Sequence, residues 1–333
     1  MPCLPKPTRR NFLVAAASAL QLCGRSWGAG HSAALPAMLS GLRTSVLFAG
    51  DENTAYRDPA VLYHGGYFYL YFTFVQKLED GIRYSSVAWS RSRDLRHWSD
   101  PVRLTPQDKR LDYGSPGSIV RFVDHWVLCL QTYPRPNGER YGNGDSRLWT
   151  MTSHDLETWS APTLLRVKGA EVPVAEMGRM IDPYLLQDKD VPSKWWCFYK
   201  QNGISRSWSH DLEHWTYAGT TAAGENPCII LDKSEYVLFH SPRNGIGVKR
   251  SADLLTWTDG PLITLGQNVW PWANGRITAG FVLDLRHNPR VGKALMFFHG
   301  SAFPEEDARG GFDNFASVGI AWSEDLSVWE WPI

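Results

Sequence analysis

The chain has 333 residues, with 34 Lys+Arg balanced by 34 Asp+Glu, and so lacks the basic surplus of a nucleic-acid binder. Hydrophobic residues make up 43% and charged residues 20%, a balance that excludes a disordered chain and provides for a large core. The 29 Gly and 21 Pro imply many turns, and the 13% aromatic content, including 16 Trp, suits strands better than helices.

The first 30 residues carry Lys6, Arg9, Arg10 and Arg25 and no acid. Thr8-Arg9-Arg10-Asn11-Phe12-Leu13 is a twin-arginine pattern, and the apolar stretch from Phe12 to Leu22 is too short to span a bilayer. Small residues follow it, so residues 1–30 read as a twin-arginine signal peptide with cleavage expected at roughly 29–37. Its removal would leave a chain near −4, exported to a periplasm or the cell exterior and held to no membrane. Beyond the signal stand Cys129, Cys197 and Cys228, each in an apolar, strand-like run. They read as buried inert thiols rather than a disulfide, a metal site or a nucleophile.

Ser-x-Asp-Leu-x-x-Trp occurs five times, beginning at Ser92, Ser153, Ser209, Ser251 and Ser323, at spacings of 61, 56, 42 and 72 residues. Ser and Asp oxygens can accept nearby backbone N–H groups and fix a reversal, while Leu and Trp anchor it by burial. In the first unit, Ala60-Val61-Leu62-Tyr63 and Tyr67-Phe68-Tyr69-Leu70-Tyr71-Phe72 flank His64-Gly65-Gly66, a hairpin signal. Each unit thus reads as four short antiparallel strands with the motif between the third and fourth. Five units predict an all-β, single five-bladed propeller over 44–333. The expected blades are 58–104, 116–166, 182–219, 225–263 and 278–333. The last is expected to supply all four of its own strands, ending at Trp329-Glu330-Trp331, so that the ring closes by side-chain packing rather than strand exchange.

Four inner strands begin beside a proline, in Asp58-Pro59, Ser115-Pro116, Asp182-Pro183 and Glu225-Asn226-Pro227. Equivalent positions ring the propeller axis, which predicts that Asp58, Asp182 and Glu225 are neighbours. Crowding and partial burial of three carboxyls raise the pKa of at least one, and an acid beside an ionised base is what glycosidic bond cleavage needs. Glu171 and Glu176 are alternative acids, as are His240 and His299. Asp112 reads as a spare solvated carboxylate and Glu305-Glu306-Asp307 as a solvated loop. The long loops gather on one face and carry Tyr113, Tyr133, Arg135, Arg140, Arg179, Trp270, Trp272 and Arg276. The second strands end there with Gln131, Lys200, His240 and His299. With Arg57, most of these form the expected binding rim: aromatic rings stack on sugar faces and arginines grip hydroxyls or carboxylates. Packing is the alternative role of Trp270 and Trp272, and ion pairing with the neighbouring Asp is that of Arg57 and Arg179.

These features together resemble glycoside hydrolase family 43 and its five-bladed relatives. The carriers are Arg57-Asp58-Pro59, Gly66-Tyr67-Phe68-Tyr69-Leu70, Ile181-Asp182-Pro183-Tyr184-Leu185-Leu186-Gln187-Asp188, Glu225-Asn226-Pro227 and the repeats, spread over nearly all of 50–333. With the export signal, the resemblance implies an exported, inverting hydrolase of poly- or oligosaccharides, with Asp58 as general base, Asp182 as pKa modulator and Glu225 as general acid. A retaining invertase-like enzyme, with Asp58 as nucleophile, and a non-catalytic carbohydrate-binding propeller are the alternatives. The resemblance implies pentofuranosides or xylosides, whereas the arginine-rich rim equally fits an acidic glycan. Relatives often place a His near a central metal on the last inner strand, where this chain reads Arg276-Ile277-Thr278-Ala279-Gly280. No cofactor is expected, and a channel metal such as calcium has no support in these residues.

Overall fold

The computed structural model describes residues 36–304 and 314–332. The expected signal peptide and the run Glu305-Glu306-Asp307 lie outside the described residues. The described chain is almost wholly β and forms five antiparallel sheets.

Blade 1 consists of Thr54–His64, Tyr67–Lys77, Arg83–Ser92 and Val102–Arg103. In blade 2 the inner edge is split into Tyr113–Gly114 and Ile119–Phe122, both paired with His125–Thr132, followed by Leu148–Ser153 and Thr163–Leu164. Blade 3 is Ile181–Gln187, Trp195–Lys200, Ile204–Ser209 and Thr216–Thr221, and blade 4 is Glu225–Asp232, Glu235–Ser241, Ile246–Ser251 and Thr258–Ile263. Blade 5 contains Arg276–Asp284, Ala294–Ser301 and Ser317–Ser323, but its outer strand is Val46–Phe48. The ring is therefore closed by strand exchange, which corrects the expectation that the last blade is self-sufficient. The segment at Trp329-Glu330-Trp331 contributes a single bridge, in which Trp322 and Glu330 exchange both backbone hydrogen bonds.

The five motifs form one turn repeated. In the first, Ser92 Oγ accepts the amides of Asp94 and Leu95, and Asp94 Oδ1 accepts those of Arg96 and His97 at 2.9 Å each. The Leu is in the left-handed region in every copy, with φ between 61° and 69°. That conformation is costly for Leu, and burial offsets it: Leu95, Leu156 and Leu254 are at most 1% exposed. In four copies the Trp indole N–H returns to the Leu carbonyl, as from Trp98 to Leu95 at 3.0 Å.

Neighbouring blades are tied through buried polar atoms. The Tyr71 hydroxyl donates to the Leu156 carbonyl at 2.7 Å, and that of Tyr184 to the Ile229 carbonyl at 2.9 Å. Cys129, Cys197 and Cys228 are free and buried. Burial pushes Cys129 to about 11 and Cys228 to about 12, so both stay thiols.

Candidate active site

Each inner strand breaks register at one residue with positive φ: Asp58 (48°), Ser115 (39°), Asp182 (53°), Asn226 (49°) and Ala279 (51°). Pro follows the first four and Gly the fifth. A bulge tolerates Pro because the ladder is already interrupted there, and Asp and Asn accept the left-handed region more readily than most residues. The bulges turn these five residues into a ring around the channel.

A second ring holds the first. The second-strand residues Thr73, Gln131, Lys200, Ser241 and His299 stand opposite Arg57, Gly114, Ile181, Glu225 and Thr278. Four of them accept the bulge amide of the next blade: Thr73 Oγ1 from Ser115 (2.7 Å), Gln131 Oε1 from Asp182 (2.5 Å), Ser241 Oγ from Ala279 (2.7 Å) and His299 Nδ1 from Asp58 (3.1 Å). Lys200 has no acceptor, and at that junction the Asn226 amide donates to Asp182 Oδ2 at 3.3 Å. The two rings correct the expected register by one residue in two places. Asn226, not Glu225, is the counterpart of Asp58 and Asp182. Ser241, not His240, is the counterpart of Gln131 and His299.

Above the ring lies a pocket of about 430 Å³ open to solvent. Blade 1 contributes Arg57 and Asp58, blade 2 Ser115, Gln131 and Tyr133, and blade 3 Ile181 and Asp182. Glu225 and Asn226 come from blade 4, and Arg276, Thr278 and His299 from blade 5. Asp58, Asp182 and Glu225 therefore share one cavity despite their distance in sequence. The narrow channel beneath is walled largely by Pro59, Pro116, Pro183, Pro227, Gly280 and Phe281. Among the described residues no cluster of three His, Cys, Asp or Glu side chains is arranged to hold a metal ion.

The carboxyls are held in different states. Burial opposes ionisation of Asp58. Arg57 Nη2 at 3.8 Å from Oδ2, the His299 ring at 3.5 Å from Oδ1, and the hydroxyls of Thr73 (2.8 Å) and Ser115 outweigh it, so Asp58 lies below the usual range. Asp182 is pushed up to about 7, first by burial and then by the charges of Glu225 and Asp58, against the hydrogen bonds from Ser115 and Asn226. Burial pulls His299 down to about 3; Asp58 works against this, and Arg57 and Arg276 add to it. His299 is thus neutral near pH 7 and faces Asp58 as a dipole rather than a charge, so Arg57 and the hydroxyls are the main groups that keep Asp58 ionised. Its Nδ1 already accepts the Asp58 amide, which leaves the ring proton on Nε2.

Other residues expected at the rim have structural roles. Tyr113 is 5% exposed and meets Trp149 edge-on in the core. Trp270 and Trp272 stack on each other at 5.5 Å and on Phe298 at 5.7 and 5.8 Å, so they are packing residues of blade 5. Arg179 does not line the pocket; it supports Tyr133, donating to its hydroxyl at 3.4 Å and to the Gly142 carbonyl at 3.2 Å. His240 is not among the pocket liners; it accepts the Gly224 amide at 3.0 Å and is pulled down to about 4 by burial and by Lys249, with a smaller effect of Lys200. Lys200 is also absent from the pocket wall.

Asp112 is fully buried, not solvated: Arg135 and Lys109 meet its Oδ2 at 2.7 and 2.6 Å, and the Ser85 amide meets Oδ1 at 2.9 Å. Glu171 and Glu176 are exposed and outside the pocket, and Arg140 is exposed beside Tyr141. Sequence reasoning missed Thr73, Ser115, Asn226 and Thr278. The signal for Ser115 and Asn226 was present, since both precede the same prolines that marked Asp58 and Asp182.

With this geometry in place, solved structures supply the comparison. A thermostable family-43 glycoside hydrolase superposes with a TM-score of 0.58 at 14% identity, over 89% of this chain and 95% of that one. The catalytic domain of a GH62 alpha-L-arabinofuranosidase from Coprinopsis cinerea gives 0.58 at 13% identity, over 84% and 98%. A family 117 glycoside hydrolase of the marine bacterium Zobellia galactanivorans gives 0.59 at 14%, over 84% and 88%. The fold is that of the five-bladed glycosidase propellers. No protein-family model matches the sequence, and no curated protein matches it. At these identities the likeness is one of fold.

Proposed function

We propose that the protein is an exported glycoside hydrolase acting by inversion on poly- or oligosaccharides. One observation carries the reading: Asp58, Asp182 and Glu225 line a single pocket, with Asp58 favoured ionised and Asp182 favoured protonated to near neutrality. Two carboxyls in opposite states are the minimum for general acid–base cleavage of a glycoside. The superposed structures named for glycoside hydrolase activity support it.

In this mechanism Asp58 takes the proton of an attacking water as that water adds to the anomeric carbon. Arg57 and Thr73 hold the carboxylate in the basic form before attack. Glu225 protonates the departing glycosidic oxygen. Asp182 adjoins both, and the proton favoured on it is passed to Glu225 as Glu225 protonates the leaving oxygen. Inversion needs about 6.5–9.5 Å between the two working carboxyls, leaving room for the water. Export rests on the twin-arginine pattern in residues 1–30.

The test is a screen of plant, algal and bacterial polysaccharides and aryl glycosides, read by product chromatography. Wild type is expected to release sugar, and Asp58→Asn and Glu225→Gln to lose at least about 10³-fold in kcat while keeping the wild-type melting temperature. Full activity in either variant removes that residue from the mechanism.

A further inference from the structure

The two working carboxyls of the pocket are held by different means. Asp58 is gripped through its side chain, by Arg57, Thr73 and the His299 ring. Glu225 is half-buried in the pocket wall, and its carboxyl has no hydrogen-bond or ion-pair partner among the described residues. The direction in which Glu225 points therefore follows from the backbone that carries it.

That backbone is fixed from the second strand of the same blade. Glu225 pairs with Ser241 across the ladder. Just before it, the Gly224 amide donates to His240 Nδ1 at 3.0 Å. Gly224 approaches the second strand so closely that a Cβ there would stand 1.7 Å from the Ser241 carbonyl oxygen, so only glycine fits. Just after it, the Asn226 amide donates to Asp182 Oδ2.

His240 is itself firmly seated. It is buried, and Gly247 lies directly opposite it on the third strand, where a Cβ would stand 2.6 Å from ring atoms Cε1 and Nε2. Burial and Lys249 keep the ring neutral, and a neutral imidazole can accept at Nδ1 where an imidazolium cannot. In blade 5 the same ring atom of His299 accepts the Asp58 amide. One histidine thus holds the backbone at the base, and the other holds it beside the acid.

Resting on the hydrolase reading for the role of Glu225, we propose that His240 is the positioning residue of the general acid. Through the Gly224 amide it fixes the entry of the strand, so that the unbonded Glu225 carboxyl meets the departing oxygen. A misplacement of about 1 Å in such a group is enough to cost on the order of 10²-fold in rate.

The experiment compares the 2,4-dinitrophenyl, 4-nitrophenyl and methyl glycosides of the sugar that wild type releases. Dinitrophenolate departs without a proton, whereas methoxide needs one, so a defect in the acid grows as the leaving group worsens. His240→Leu should lower kcat on the methyl glycoside by about 30-fold or more and on the dinitrophenyl glycoside by less than about threefold, with KM little changed. Gly247→Ala keeps the imidazole but pushes it off its seat, and should give the same graded loss if His240→Leu fails to fold. His240→Asn restores an acceptor near the position of Nδ1 and should recover most of the lost rate. An equal loss on all three glycosides, or a His240→Asn enzyme as impaired as His240→Leu, overturns the proposal. Glu225→Gln is the control: a flat loss there overturns the acid assignment of the hydrolase reading, whereas a graded loss there with a flat loss in His240→Leu overturns the role of His240 alone. No glycoside turnover by wild type overturns both.

Discussion

Asp58 shows how one backbone conformation serves both structure and chemistry. Its φ of 48° sends the amide to His299 and leaves the carboxyl between Arg57 and Thr73. Strain of this kind costs on the order of 1–3 kcal/mol and persists where surrounding bonds fix it. His299 and His240 make the site sensitive to acid. Both are held neutral, at about 3 and about 4, whereas an unfolded His titrates near 6.5. Below 6.5 the unfolded chain therefore binds protons first, and the stability tied to these groups is full above 6.5 and lost as pH falls toward 4 and then 3. Asp182 acts in the opposite sense: raised from 3.8 to about 7, it favours the fold most below 3.8 and loses that contribution as pH rises through 7. Two histidines outweigh one carboxyl, so the melting temperature should fall from pH 6.5 to pH 4. His299→Gln offers the Asp58 amide an oxygen, as Gln131 does for Asp182, without titrating. Thermal melts over that range should show a shallower fall in the variant, and an unchanged slope would contradict this role for His299.

At the scale of the element, the repeated turn and the bulge ring carry most of the design. Leu254 and Leu255 are adjacent but opposite in burial, at 1% and 51% exposed. Leu254→Ala should cost about 2–5 kcal/mol and Leu255→Ala less than about 0.5 kcal/mol by urea denaturation. The second-strand ring gives a chemical prediction. At the junction of blades 3 and 4, Lys200 cannot accept, so the Asn226 amide falls to Asp182. Lys200→Gln would supply an acceptor and draw that amide away, removing a bond that favours ionised Asp182. The alkaline limb of the activity profile should then move to higher pH, and an unmoved limb would show that the amide does not tune Asp182.

The turn was legible in the sequence because Ser, Asp, Leu and Trp each have a fixed task in it. The inner strands were legible because a proline marks four of five bulges. The one-residue offsets at Glu225 and His240 were not, since alternation places neighbours on opposite faces and nothing local to the sequence reveals the bulge. Trp270 and Trp272 read equally well as sugar platforms until Phe298, distant in sequence, is seen stacked against both. Asp112 gave no sign of burial because its main partner, Arg135, comes from a loop 23 residues on.

Over the whole molecule, a three-residue strand completes the closure, beside backbone bonds from Tyr56 to Ala316 and from Phe315 to Asp51. Val46–Phe48 completes blade 5 by pairing with Ser317–Ser323, and Phe48 packs on Tyr56, Phe72 and Trp98 of blade 1 at 5.3–5.6 Å. A strand this short without the repeat motif carries too little pattern to be read as the missing fourth strand. Its double substitution Val46→Asp with Phe48→Asp should open the ring, lower the melting temperature by several degrees and expose the blade 1–blade 5 seam to limited proteolysis. Unchanged melting and proteolysis would mean that the ring closes without the exchanged strand. The account as a whole depends on radial order bringing Asp58, Asp182 and Glu225 together tightly enough to perturb one another. The direct measurement is a carbon-13 NMR titration of the Asp182 carboxyl, in wild type and in Glu225→Gln. The account predicts a midpoint near 7 that moves down in the variant, and a midpoint near 3.8 in both would contradict it.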